Sequence, residues 1–232
     1  MSAPHEWREL VVVDLGLGNL RSVERAVLAA SEGLGVAPET SAQADVVARA
    51  KRLIVPGQGA FRDGAAALAA NGGALAQAIR AHLAGGRPYL GICLGLQLLL
   101  EESDEAPGAR GLGEIAGRVV RLAPETVVEG GLARRLKVPH IGWNQPECLP
   151  GRAGDELGSL LADAGEAPWF YFVHSYQAMP DDPTLVAATA SYGCLEITAA
   201  IVRDNLIATQ FHPEKSQKAG LSLLRRWLAY RP

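Results

Sequence analysis

The sequence predicts an α/β protein in which a parallel sheet carries helices on both faces. Three observations predict it: short apolar runs that end in glycine turns, helical periodicity after each run, and repetition of that unit through the N-terminal part. "ELVVVDLG" reads as a buried strand, and "NLRSVERAVLAA" then sets Leu20, Val23, Val27 and Ala30 at helical spacing behind Asn19 as N-cap. "RLIVPGQGAF" is a second short strand closing in a glycine turn, and the Ala-rich stretch Ala65 to Leu83 predicts one helix despite Gly72 and Gly73. "RPYLGI" and "LGLQLLLEE" supply a further strand and helix. The second half is strand-rich, with "IAGRVVRL", "VPHIGWN", "WFYFVHSY", "TLVAATA", "ITAAIVRD" and "LIATQF" separated by turn residues and with few helices. A closing helix, "SQKAGLSLLRRWLAY", starts near Ser216, and Glu102–Gly111 and Gly151–Pro168 read as loops from their Gly, Pro and acidic content.

Composition narrows the function classes. With 232 residues, 48% hydrophobic and 20% charged, the chain has an ordinary globular composition and enough length for one sizeable core, so one domain over 1–232 is expected. A net charge of −3 offers no basic footprint for nucleic acid or anionic lipid. Cys93, Cys148 and Cys194 are odd in number, far apart and never in a CxxC pair, which argues against disulfides and zinc and fits a reducing compartment. The N-terminal segment has neither a signal-peptide nor a membrane-span pattern, so a cytoplasmic location, no membrane partner and no metal are expected.

The chemistry concentrates where "RPYLGI" turns into a helix. Gly91-x-Cys93-x-Gly95 has the form of a nucleophile elbow, in which glycines on either side remove side chains that would crowd an exposed, strained turn. At the start of a helix, the dipole and free N–H groups favour a thiolate. A small buried hydrophobe is the plainer alternative for Cys93.

A thiolate needs a proton-transfer partner. Of the five histidines, His5 and His82 read as solvated, and His140 and His174 are followed two residues later by Gly142 and Tyr176. His212 has Glu214 two residues on, and an extended backbone through "FHPEK" puts imidazole and carboxylate on one side. That is a base with an orienting acid. A strand end with a surface Glu is the alternative. "VPGQGAF" leaves a strand with Gly57 and Gly59 flanking Gln58; its N–H groups, with that of Leu94, can meet an oxyanion, or it is an ordinary βα turn. "GLGN" lacks the last glycine of a dinucleotide fingerprint, Arg21 standing there, and no cofactor is expected.

With these residues assembled, the chain resembles the class I (triad) glutamine amidotransferases, "GICLG" carrying the nucleophile and "FHPE" the His and Glu. More narrowly, "DLGLGNLRSV", "VPGQGAF", "GICLGLQLL", "VPHIGWNQ", "YFVHSY" and "TQFHPEKSQKAGLSLLRRWL" are similar to the glutaminase subunits of imidazole glycerol phosphate synthases, from about Leu10 to about Tyr230. The resemblance implies a flavodoxin-like doubly wound, mostly parallel sheet with an added antiparallel portion. It implies a Cys93–His212–Glu214 triad that hydrolyses L-glutamine. It also implies a heterodimer with a (β/α)8-barrel cyclase that receives the ammonia in histidine biosynthesis. By the same resemblance Gly57, Gln58, Gly59, Leu94, Gln97, Ser175 and Tyr176 contact substrate, and Asn19, Trp143, Tyr171 and Lys215 face the cyclase. Spacing alone makes Gln97 a polar helix-surface residue, and Trp143 and Tyr171 have a buried-core alternative. Relatives commonly carry Val at position 58, and the family's subunit is nearly idle until the cyclase is occupied, which is attributed to rearrangement of that strand. Another triad amidotransferase and a docking subunit without catalysis are the competing readings.

Overall fold

The structure is a computed structural model that describes residues 7–123, 126–129 and 132–230. His5, read as solvated, lies outside the described residues. In chain order the first half contains β1 (Leu10–Val13), α1 (Leu20–Ala30), β2 (Pro38–Ser41), α2 (Ala44–Ala48), β3 (Leu53–Gly57), α3 (Phe61–Ala84), β4 (Tyr89–Cys93) and α4 (Leu94–Gln97). The short strands β5 (Glu102–Ser103), β6 (Gly117–Arg121), β7 (Thr126–Glu129), β8 (Leu132–Arg135), β9 (His140–Asn144) and β10 (Glu147–Cys148) follow. Then come α5 (Arg152–Leu161), β11 (Phe170–His174), β12 (Tyr176–Pro180), β13 (Val186–Tyr192), β14 (Leu195–Arg203), β15 (Leu206–Thr209) and α6 (Gln217–Ala229).

The main sheet has eight strands in the order β10-β13-β14-β15-β4-β3-β1-β2. From β15 to β2 all neighbours are parallel, the flavodoxin-like order, and β14, β13 and β10 extend it antiparallel. Both faces are covered, so its inner strands are apolar on both sides rather than alternating. In β1, Val11 and Val13 join the core under α2 and α3, while Leu10 and Val12 join the core under α1, α5 and α6. Separate small sheets, β12-β6-β5 and β11-β9, stand beside the main one. Among the described residues no helix is long and apolar enough to cross a membrane.

Several local expectations change. The helix expected over Leu94–Glu102 stops after one turn at Gln97, because the carbonyls of Leu98, Leu99 and Leu100 accept instead from the N–H groups of Leu112, Glu114, Ile115 and Gly113. The stretch Ala65–Leu83 is broken: Asn71, Gly72 and Gly73 all have left-handed φ, so two helices meet at a kink. The loop expected over Gly151–Pro168 contains α5, whose Ala153, Leu157, Leu160 and Leu161 are buried at helical spacing. β5 lies within the loop expected over Glu102–Gly111. Asn19 and Ser216 occupy the residues before α1 and α6, yet neither side chain caps its helix.

His82 is fully buried on α3, with Nε2 3.0 Å from the Pro88 carbonyl, and not solvated. Burial pushes its pKa from 6.5 down to about 4, against the favourable Pro88 contact. Unfolded, the ring takes its proton near pH 6.5, so between there and pH 4 the unfolded chain binds more protons. The stability of the neutral buried ring is therefore complete above pH 6.5 and lost as pH falls towards 4. His82→Gln keeps a donor and does not titrate. The gap in unfolding free energy between pH 8 and pH 5, measured by urea titration, should shrink by about 2 kcal/mol in this variant. Parallel pH dependence in the two proteins would contradict the assignment.

Candidate active site

β3, β4 and β15 run side by side and parallel, so their C-terminal ends open on one edge of the sheet, where ligands sit in open α/β folds. The turn from β4 to α4 passes through Cys93 at φ +54° and ψ −102°, a conformation that L-residues rarely hold and that costs on the order of 1–3 kcal/mol. The flanking glycines make room for it. A Cβ on Gly91 would come within 2.9 Å of the Gly95 carbonyl oxygen, and one on Gly95 would lie 1.8 Å from that of Val55 in β3. Cys93 is 8% exposed.

His212 follows β15 in an extended conformation, and Pro213–Lys215 then forms a 3-10 turn. The extended run expected through Glu214 is therefore absent: Pro213, with its fixed φ, starts the turn. The turn still brings Glu214 Oε1 to 2.7 Å from His212 Nδ1, with both side chains essentially inaccessible. The backbone holds the ring in place, since His212 N–H donates to the Tyr171 carbonyl at 2.9 Å. Ser216 Oγ accepts from Tyr171 N–H at 3.0 Å and donates to the His212 carbonyl at 2.6 Å. Burial opposes charge on His212, but Cys93 and then Glu214 outweigh it and push its pKa up to about 10. Glu214 thus anchors Nδ1 and leaves the buried Nε2, which makes no hydrogen bond, for proton transfer.

Cys93 opens on a cleft of about 370 Å³ that is also lined by Gln58, Gly59, Leu94, Gln97, Ser175 and Tyr176. Gly57 lies on an adjoining recess with Asn19, Gln58, His212 and Glu214. Gln97 is buried, not on a helix surface. Its Nε2 donates to the Tyr176 carbonyl at 3.1 Å and to Gln210 Oε1 at 3.2 Å. Gln58 packs against Gly18, where an added Cβ would stand 2.8 Å from Gln58 N and Cβ.

Sequence reasoning missed two residues here. Glu105 lines the cleft, its Oε2 accepting from Phe61 N–H at 2.7 Å, and nothing in the acidic run around it singled it out. Gln210, wholly buried, places Nε2 3.4 Å from Cys93 Sγ. Its signal was present, because Gln210 and His212 are two apart where the chain leaves a strand.

Around the rim, Trp143 is 43% exposed and stands edge-on to Tyr171, with centroids 5.9 Å apart. Lys215 Nζ lies 5.7 Å from the Tyr171 ring centroid and also lines the cleft. Ile141 and Trp169 add exposed apolar surface, and Asn19, just before α1, lines the recess beside Gln58, His212 and Glu214.

The family model for glutamine amidotransferase class-I matches residues 11–229. The chain belongs to this family. The amidotransferase is 46% identical over 218 residues to the imidazole glycerol phosphate synthase subunit HisH of Syntrophotalea carbinolica, covering 94% of this chain and 98% of that protein. It is 44% identical to the HisH subunit of Methylococcus capsulatus, covering 96% and 97%. Within this family it is similar to these HisH subunits over nearly the full length of both chains. The solved structure of PurLQS from Thermotoga maritima shares the fold, with a TM-score of 0.66 at 16% identity over 97% of this chain and 99% of that one.

Proposed function

We propose that residues 1–232 act as one amidotransferase domain that hydrolyses L-glutamine to glutamate and ammonia through Cys93, His212 and Glu214. The ammonia passes to a (β/α)8-barrel cyclase subunit, bound as a heterodimer in the cytoplasm, for the lyase reaction that forms imidazole glycerol phosphate. The observation that carries the reading is Cys93 on a strained glycine-flanked elbow, together with an imidazole whose Nδ1 is held by a buried carboxylate and whose buried Nε2 makes no hydrogen bond.

Cys93 Sγ attacks the amide carbon of glutamine and creates a tetrahedral oxyanion. The N–H groups of Leu94 and of the Gln58–Gly59 stretch are the proposed donors to it. His212 Nε2–H then protonates the departing nitrogen, the C–N bond breaks, and ammonia leaves a glutamyl thioester on sulfur. Water, losing its proton to His212, hydrolyses the thioester and returns the thiolate. Gln97 has committed its Nε2 to two acceptors, so its Oε1 remains for substrate. Glu105 offers a carboxylate for the α-ammonium, and Ser175 and Tyr176 complete the wall. No cofactor or metal enters these steps.

The exposed rim of Ile141, Trp143 and Trp169, with Tyr171, Lys215 and Asn19 around it, supports docking of the cyclase on this side. Ammonia released at His212 would leave through a channel towards that rim. The partners are thus a small amide and a protein, with neither nucleic acid nor membrane.

Mixing the chain with a cyclase subunit and its nucleotide tests the reading. Glutamine should support turnover only when both proteins are present, while free ammonia should support it with the cyclase alone. Equal rates from glutamine with and without this chain would overturn the proposal. A narrower expectation concerns Glu214→Gln, which leaves His212 Nδ1 without its anionic partner. Glutamine-dependent kcat should fall roughly hundredfold or more, with little change in ammonia-dependent turnover.

A further inference from the structure

We propose that Gln210 is an additional catalytic residue, donating a hydrogen bond from Nε2 to Cys93 Sγ and holding the sulfur as thiolate. The inference rests on Cys93 being the nucleophile.

The donor sense follows from a chain of hydrogen bonds with only one consistent orientation. The Tyr176 carbonyl can only accept, so the Gln97 atom 3.1 Å from it must be the amide nitrogen. That nitrogen also lies 3.2 Å from a side-chain atom of Gln210, which must then be oxygen. The other end of the Gln210 amide, 3.4 Å from Sγ, is therefore an N–H. Flipping either amide would set two donors or two acceptors against each other in a buried space. Gln210 is wholly buried, and its own N–H is tied to the Ala199 carbonyl at 2.8 Å, so the side chain has little freedom to turn.

A donor at sulfur favours the anion over the neutral thiol, as hydrogen bonds to charged acceptors are about twice as strong as neutral ones. It acts twice in the reaction. Before attack it is the donor that meets the nucleophilic sulfur. During thioester hydrolysis the sulfur leaves carrying its electron pair, and the same N–H meets the returning negative charge. Gln97 is a positioning residue for this amide.

The test follows alkylation of Cys93 by iodoacetamide across pH, reading the Cys93 peptide by mass spectrometry so that exposed Cys148 and Cys194 are counted apart. The charged and titratable groups around Sγ are His212 and Glu214 on the turn after β15, His174 at the end of β11, Tyr176 on β12, Glu105 after β5, and Lys215. None is altered in the variants. Gln210→Met should move the rate profile to higher pH, making alkylation on the acid limb about tenfold slower. Gln210→Glu should move it further, because a carboxylate then faces the sulfur. Gln97→Met, which releases the Gln210 amide, should shift it in the same direction by less, and it stands in if the Gln210 variants fail to fold by circular dichroism.

Profiles that overlay wild type, or a loss of turnover with an unmoved profile, would overturn the proposal. Failure of the underlying reading looks different: glutamine turnover would survive full alkylation of Cys93.

Discussion

Cys93→Ala should lower glutamine-dependent turnover roughly 10⁴-fold or more while leaving ammonia-dependent turnover by the cyclase complex unchanged. Removing Sγ removes the atom that would form the thioester, and no neighbouring group takes its place: Gln210 and Gln97 are amides, and the Ser175 hydroxyl that also lines the cleft is a far weaker nucleophile than a thiolate. The substitution is small, although alanine lacks glycine's tolerance of φ +54° and only the rest of the elbow holds it there. A thermal melt close to wild type should accompany the lost activity. Glutamine turnover within tenfold of wild type would show that the nucleophile lies elsewhere.

Gly95→Ala should be as damaging through structure as Cys93→Ala is through chemistry. The new Cβ would lie 1.8 Å from the Val55 oxygen and 2.8 Å from its carbonyl carbon, so it meets backbone in the middle of the sheet and not a side chain that can swing away. Relief requires β3 and β4 to part or the elbow to unwind. Parting breaks the pairing of Val55 with Gly91 and of Gly57 with Cys93, and unwinding moves the sulfur off its imidazole. We expect a loss of about 4 kcal/mol or more, seen as insoluble protein or a melting temperature lower by many degrees, with glutaminase activity gone. A variant with wild-type melting and turnover would mean that the elbow is not packed as described.

The buried half of the fold was legible because its physics is local. β1, β3 and β4 sit between two helical layers, so they read as unbroken apolar runs, and glycine turns mark their ends. β2 and α2 escaped notice because "PETS" is a polar edge strand and "ADVVA" is too short to show a period. α5 was hidden by composition: its two glycines, of which Gly154 is itself buried, and the acids Asp155 and Glu156 outweighed the buried Ala153, Leu157, Leu160 and Leu161. The early end of α4 depended on carbonyls recruited by residues more than ten positions on, which no local pattern contains.

The site divided in the same way. Cys93 was readable from its glycines and His212 from its neighbours, but the reason given for pairing His212 with Glu214 was wrong in detail. Alternation along an extended chain suits Gln210 and His212, whereas Glu214 reaches the ring through a turn started by Pro213. Glu105 enters the cleft only because its loop folds back over the start of α3.

The most direct measurement is an acid quench of the cyclase complex turning over labelled glutamine with its nucleotide present, followed by peptide mapping. The account predicts a glutamyl label on the peptide containing Cys93, absent from Cys93→Ala and longer-lived in a variant that slows hydrolysis of the thioester. Label on a peptide from another part of the chain, or turnover at full rate in Cys93→Ala, would contradict it.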